Sequence, residues 1–184
     1  MGRTKKIKIE GESKEKKKWK LFYFFVLILG IFLAIFEIEI FRKTLISSYI
    51  PISIVLIFGF LGFFLNKKHL KYIYPVSGNF ILIVQNICSW GFIFCYLFMA
   101  TNYYLSNKIT KEYKTIIKEK SSMPGPKGNR SEREPLVRFD YFDFEKELVF
   151  KFRDTEKVNS ADSVKIIIKK GRIGFDVLES YDVF

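Results

Sequence analysis

GNFILIVQNICSWGFIFCYLFMATNYYL, residues 78–105, is the stretch that decides the fold. Its central part, residues 80–99, contains no charged side chain. A helix needs roughly 20 predominantly apolar residues to cross the hydrocarbon core of a bilayer, and this segment is long enough. We therefore expect a membrane-spanning helix at residues 79–104, with membrane-directed sequence before it and a water-soluble domain after it.

One side of this helix carries small and polar residues. Positions three or four residues apart share a helix face, and this spacing predicts a helix-packing face made of Gln85, Cys88, Ser89, Phe92 and Cys95. Amide and hydroxyl groups need hydrogen-bond partners inside a bilayer. We therefore expect this face to pack against other spans or against a second copy. A substrate pathway is the less favoured alternative, because three helices enclose little volume.

Two further apolar runs precede this stretch, at residues 21–41 and 45–65. Together the three runs predict a three-helix transmembrane region over residues 21–105. Glu37 and Glu39 lie near the end of the first run, and we interpret them as interfacial groups because a carboxylate in mid-bilayer is costly. A role for these two as ion or proton ligands is the alternative.

Charge is concentrated outside the apolar runs in this chain of 184 residues and net charge +12. Residues 1–20 form a basic tail with nine Lys or Arg and three Glu. Such a tail beside a span marks the cytoplasmic side and attracts anionic lipid. It offers only Trp19 for stacking on bases, so no nucleic acid partner is expected. We predict an integral protein of the bacterial inner membrane, with the N-terminus cytoplasmic and the C-terminal domain outside.

The last part of the chain, residues 106–184, is water-soluble in composition, with 17 basic and 14 acidic residues. Alternation of apolar and polar residues predicts five strands, near residues 113–117, 137–141, 148–152, 164–168 and 173–177. Residues 121–134 lack periodicity and contain Gly and Pro, which predicts a mobile loop. Five short antiparallel strands predict a small all-β domain, an SH3-like or OB-like barrel or a curled sheet.

Three short motifs carry a resemblance. PLVRFD at residues 135–140, ELVFKF at 147–152 and DSVKIIIKKG at 162–171 resemble a family of uncharacterised bacterial membrane proteins, in which a small β domain accompanies a few membrane helices. The resemblance covers residues 135–178. This chain has Lys170-Gly171 where the family carries Asp-Pro, and all its helices precede the β domain. Because the family has no assigned activity, the resemblance implies architecture only.

Catalytic motifs are missing from the sequence: it has no Gly-rich phosphate loop, GxSxG, HExxH or CxxC. Accordingly we expect no enzyme activity, no catalytic or metal-binding residues and no cofactor. The acidic residues of the run 140–147 are expected to be cross-strand charge partners of nearby Lys146, Lys151 and Arg153. We expect a non-enzymatic membrane protein that displays its β domain for interaction with a protein, the envelope or another copy. The alternatives are an accessory subunit of a membrane transport complex and a membrane-bound toxin-immunity protein.

Overall fold

The computed structural model describes residues 13–184, so residues 1–12 of the basic tail lie outside the described part of the chain. Its helices are α1 Lys14–Lys43, α2 Tyr49–Ile73, α3 Asn79–Asn86, a π-helical segment Ile87–Gly91, α4 Phe92–Tyr104, a 3-10 turn Phe152–Asp154 and α5 Thr155–Ser160. Its strands are β1 Thr44–Leu45, β2 Thr110–Ile116, β3 Glu119–Pro124, β4 Arg133–Tyr141, β5 Phe144–Val149, β6 Ser163–Lys170 and β7 Asp176–Val183.

Three of the described helical stretches are long and apolar enough to cross a membrane: Lys14–Lys43, Tyr49–Ile73 and Asn79–Tyr104. This confirms the prediction of three long apolar helices. The chain divides into two units. One runs to Ile35 and includes Ser53–Cys95, and the other comprises Phe36–Ile52 and Tyr96–Phe184. The second unit therefore contains the β domain together with the end of α1, the start of α2 and most of α4.

Helix α2 begins and ends later than the expected 45–65. It begins at Tyr49, so that Pro51 falls in the first turn, where its missing N–H costs no helical hydrogen bond. It continues to Ile73 because Leu70 and Ile73 are fully buried in a cluster that includes Tyr23 of α1. Apolar burial thus extends the helix beyond the apolar run, through a segment that contains Lys67, Lys68 and Lys71.

The β domain contains two antiparallel sheets. A curled four-stranded sheet has the order β1-β7-β6-β2, and a three-stranded sheet has the order β3-β4-β5. The chain passes from one sheet to the other between β2 and β3. There the Ile117 amide donates to the Asp162 carbonyl, next to β6, and the Lys118 amide donates to the Arg138 carbonyl of β4. The small antiparallel β domain is confirmed in outline, but its strands form a half-barrel and a separate small sheet.

Alternating side chains of both sheets meet in one core. Phe139, Val137, Val164 and Ile166 are fully buried there, and Val158 of α5 covers them. Burying each such side chain contributes about 1.5–3 kcal/mol. Sequence periodicity indicates β2, β4 and β6 and overlaps β5 and β7. It does not indicate α5, whose single buried Val158 gives no helical repeat to detect.

Four features of the β domain differ from expectation. The strand expected near residues 148–152 is β5, Phe144–Val149, and Phe152 begins the 3-10 turn that follows it. Residues 121–124 belong to β3, which pairs with β4 in register Ser121 to Leu136, so the expected loop 121–134 is shortened to residues 125–132. The last strand begins at Asp176, because Ile173 and Gly174 lie in the preceding turn. In addition, β1 pairs with β7, although the sequence places Thr44 between the first two apolar runs and Leu45 at the start of the second.

Candidate functional site

The expected packing face of the third span is partly buried. Ser89 and Cys95 are buried, whereas Gln85, Cys88 and Phe92 are each half-buried. The Ser89 hydroxyl donates to the Gln85 carbonyl at 2.7 Å, within its own helix. Packing of this face against a second copy or a partner stays a prediction.

The π-helical segment breaks the helical period of the third span. Leu82, Asn86 and Ser89 are buried on the N-terminal side, and Cys95 and Met99 are buried beyond it. An uninterrupted α-helix would continue the first set to positions 93 and 96, which are only half-buried. A π turn contains an extra residue and re-aims the following side chains. This irregularity has no signature in the spacing of apolar residues.

Glycines bring the helices close together around this segment. A Cβ added at Gly30 of α1 would lie 2.3 Å from the Cys88 carbonyl oxygen, and one at Gly59 of α2 would lie 2.7 Å from the Ile87 Cα. A Cβ at Gly91 would lie 2.5 Å from the Val55 carbonyl oxygen. Small residues permit such backbone approach between helices in membranes. Both other long helices therefore approach the π segment closely.

Two buried polar atoms lie in this same region. Within residues 13–184 the Asn86 Oδ1 and the Trp90 Nε1 atoms have no hydrogen-bond partner. The Asn86 amide nitrogen donates to the Leu82 carbonyl at 2.7 Å, which occupies only the other end of that side chain. Leaving a buried polar atom unpaired costs about 1–3 kcal/mol. The third long helical stretch, Asn79–Tyr104, therefore contains a buried polar centre.

Lys146 of β5 lies where the β domain meets the end of α1. Its ammonium donates to the Phe41 carbonyl at 3.0 Å and to the Thr44 carbonyl at 2.8 Å, and it lies 4.9 Å from the centre of the Phe41 ring. Burial lowers the pKa of Lys146 to about 8. A lysine at the C-terminal end of a helix satisfies carbonyls that have no intrahelical partner. Lys146 thus fastens β5 to the end of α1.

Sequence reasoning had interpreted Lys146 as an exposed charge partner, which is wrong. Its position two residues before Leu148 and four before Phe150 places it on the inward face of the strand. This even spacing from two buried residues is the sequence signal that could have identified Lys146 as an inward-facing side chain. The acidic side chains of the run pair with other basic residues: Asp140 and Glu145 with Lys118, and Glu147 with Arg138.

Asn102 makes a second attachment, between the last turn of α4 and the turn before β7. Its side-chain oxygen accepts from the Ile173 and Phe175 amides at 3.1 and 3.3 Å, and its amide nitrogen donates to the Phe175 carbonyl at 3.0 Å. The side chain is fully buried. Asn102 falls near the end of the helix that the sequence predicts at residues 79–104. The turn that it holds begins far along the chain, so no local pattern could have paired them.

The hairpin between β4 and β5 presents an exposed aromatic residue at its tip. Tyr141 pairs with Phe144, so Phe142 and Asp143 form a two-residue turn. Phe142 has φ +50° and is 74% exposed. Glycine, asparagine and aspartate are the residues that such turns favour at positive φ. A bulky side chain there is a conformational outlier.

Neighbouring contacts keep the tip in place. The Phe142 ring packs edge-on against Tyr141 with ring centres 4.8 Å apart, and the Tyr141 hydroxyl donates to an Asp176 carboxylate oxygen at 2.8 Å. Burial raises the pKa of Tyr141, and the hydrogen bond to Asp176 raises it further. Tyr141 therefore stays a neutral donor and holds the hairpin on the start of β7.

Among residues 13–184 no group of three or more His, Cys, Asp or Glu side chains could hold a metal ion. The features that stand out are a β domain attached at Lys146 and Asn102 to two helix ends, and an exposed phenylalanine on that domain. Comparisons with protein-family models, with curated proteins and with solved structures found no match for this chain.

Proposed function

We propose that the chain is a non-enzymatic integral membrane protein that presents its β domain for interaction with a protein partner or the cell envelope. The observation that carries this proposal is Phe142. A non-glycine residue in the left-handed region costs about 1–2 kcal/mol, and a side chain that is 74% exposed recovers little of it by burial. Aromatic residues are enriched in interfaces. A contact outside the chain accounts for both the exposure and the strain.

The attachments of the β domain support the same function. Lys146 and Asn102 fasten the domain to the ends of α1 and α4, and β1 adds the connection between α1 and α2 to the sheet. A domain held at three places loses less conformational freedom on binding than one on a flexible tether. This architecture suits presentation of a surface by a domain that is attached directly to helix ends.

The experiment is affinity capture of the full-length protein, in mild detergent, after cross-linking in intact cells. The variant is Phe142→Asn, because asparagine adopts positive φ more readily than phenylalanine. We expect this variant to have the same unfolding temperature as wild type or a slightly higher one. The amount of partner that it captures should be at least tenfold lower. Ile116→Thr is the matched control, since Ile116 is 76% exposed on β2, and it should retain the partner.

Equal capture by Phe142→Asn and wild type would contradict the proposal. The two alternatives, an accessory transport subunit and a toxin-immunity protein, would bind through the spans. If either alternative is correct, the captured transporter or toxin should be lost with Gln85→Leu and kept with Phe142→Asn. A second copy as the sole partner, lost with Phe142→Asn, would assign the tip to a homo-oligomer interface.

A further inference from the structure

A small basic pocket lies beside the end of α1. It has a cavity volume of about 160 Å³. Its walls come from the last residue of α1, the last turn of α4 and strands β6 and β7, through Lys43, Tyr103, Lys169, Leu178, Glu179 and Tyr181. The pocket is thus built where two helices of spanning length end and the β domain begins.

Charge in the pocket favours an anion. Lys169 is already paired with Glu179 at 2.8 Å, so these two groups neutralise each other. Lys43 is exposed and forms no ion pair within the described residues 13–184. Two ammonium groups against one carboxylate leave the pocket with one positive charge in excess. The unpaired ammonium is available to a single anionic group.

The position of the pocket at the ends of two helices of spanning length indicates the source of that anion. Lys43 is the final residue of α1, and Tyr103 is the penultimate residue of α4. The point where a span leaves the hydrocarbon core is the headgroup layer of the bilayer. Lysine and tyrosine are the residues that occupy this layer. Lipid phosphates are therefore the anions at highest local concentration around Lys43.

The size of the pocket agrees with a headgroup. Sites for drug-sized molecules enclose about 300–1,000 Å³, roughly twice or more the volume of this pocket. A volume of 160 Å³ corresponds to about five water molecules at the density of the liquid, which is room for a phosphate group. The acyl chains of the same lipid would remain in the bilayer.

We infer that this pocket binds the phosphate of an anionic phospholipid headgroup, from the leaflet on the side of the β domain. The Lys43 ammonium supplies the charge and Tyr103 supplies a second donor. The Tyr181 hydroxyl already donates to the Val149 carbonyl at 2.6 Å, so its ring serves as a wall. None of the residues that line the pocket belongs to the basic tail, for which the sequence analysis predicts contact with anionic lipid.

The test uses the full-length protein in micelles, with short-chain phosphatidylglycerol as the probe and short-chain phosphatidylcholine as the zwitterionic comparison. Bound lipid is counted by native mass spectrometry. One lysine near a membrane surface is worth about 1 kcal/mol, which is about a fivefold change in Kd. We expect Lys43→Gln to weaken phosphatidylglycerol binding about fivefold. Arg42→Gln, which removes an adjacent exposed charge outside the pocket, should change it less than twofold.

Glu179→Gln provides a variant with the opposite expectation. It removes the carboxylate from the pocket and frees Lys169, so phosphatidylglycerol binding should tighten about fivefold. This variant keeps the test decisive if Lys43→Gln fails to fold. Equal losses with Lys43→Gln and Arg42→Gln, or no gain with Glu179→Gln, would overturn the inference in favour of general surface attraction. Inorganic phosphate binding as tightly as phosphatidylglycerol would overturn the lipid source and assign the pocket to a soluble phosphate.

Discussion

Lys146 shows how one side chain can join two parts of this chain. It is 7% exposed, although an isolated buried ammonium is strongly disfavoured. Two carbonyl oxygens and the face of the Phe41 ring replace the water that it gives up. Because a neutral amine also has two N–H donors, both hydrogen bonds survive loss of the proton. The attachment therefore does not depend on charge.

Replacing this lysine should destabilise the protein. Lys146→Met keeps an unbranched side chain but removes the donors to Phe41 and Thr44, and a hydrogen bond lost from a buried acceptor costs about 1–3 kcal/mol. We expect a loss of that size in the free energy of unfolding, measured by chemical denaturation in detergent at pH 7.5. Lys111→Met, an exposed position on edge strand β2, is the control and should be nearly neutral. Equal stability of the two variants would contradict the attachment.

The same residue predicts a pH dependence. Its pKa is about 8 in the folded protein against an ordinary value of 10.5, so the unfolded chain binds more protons between these two values. Stability contributed by Lys146 is therefore lowest and constant below pH 8 and rises as the pH increases towards 10.5. The advantage of wild type over Lys146→Met should grow by roughly 2 kcal/mol between pH 7.5 and 9.5. An identical difference at both pH values would show that the pKa is not lowered.

At the scale of elements, the helices are arranged around the π-helical segment. Gly30 of α1 and Gly59 of α2 each approach its backbone. Gly59 and Gly62 of α2 are three residues apart, which does not match the GxxxG motif. Both nevertheless face the segment, since a Cβ at Gly62 would lie 2.9 Å from the Trp90 side chain. Contact in this unit thus follows the shape of the irregular helix and not a sequence motif.

Adding one methyl group at this contact tests the arrangement. Gly30→Ala would place a Cβ 2.3 Å from the Cys88 carbonyl oxygen, and overpacking of this kind costs about 1–3 kcal/mol. We expect a lower unfolding temperature in the same detergent. Gly78→Ala is the matched control, because nothing lies within 4 Å of a Cβ there. The arrangement would be wrong if Gly30→Ala proved as stable as Gly78→Ala.

At the scale of the whole molecule, β1 relates the connections to each other. It lies between α1 and α2 and pairs with β7, in register Thr44 to Val177. If the long helices cross a membrane, the α1–α2 connection and the segment after α4 must therefore lie on the same side of it. Three crossings satisfy this requirement, because the third crossing brings the chain back to the side that it reached after the first. Which of the two sides is cytoplasmic stays a prediction from the charge distribution.

Labelling of single cysteines measures that orientation. Ser131→Cys, in the exposed loop before β4, should react with a membrane-impermeant thiol reagent on intact cells if the β domain is outside the cytoplasm. Ser13→Cys, just before α1, is the control and should react only after the cells are broken. Wild type reports the background from Cys88 and Cys95. The reverse pattern would place the β domain and its partners in the cytoplasm.

Local pattern accounts for the elements that were predicted correctly. Predominantly apolar runs of about 20 residues indicate helices of spanning length irrespective of what they contact, and the three long helices follow. Alternation of apolar and charged residues indicates strands in the same way. It anticipated β4, with Val137 and Phe139 pointing inward, and β6, with Val164 and Ile166 pointing inward.

The sequence by itself therefore determined that this protein has three apolar helices and a small β domain, because length and periodicity are properties of neighbouring residues. Only the tertiary structure decided how these parts are joined. Thr44 and Leu45 became a strand because β7 offers them a free edge, and Lys146 is buried because the end of α1 offers it two carbonyls. Both outcomes depend on partners more than 100 residues away, and no local pattern encodes such a pairing.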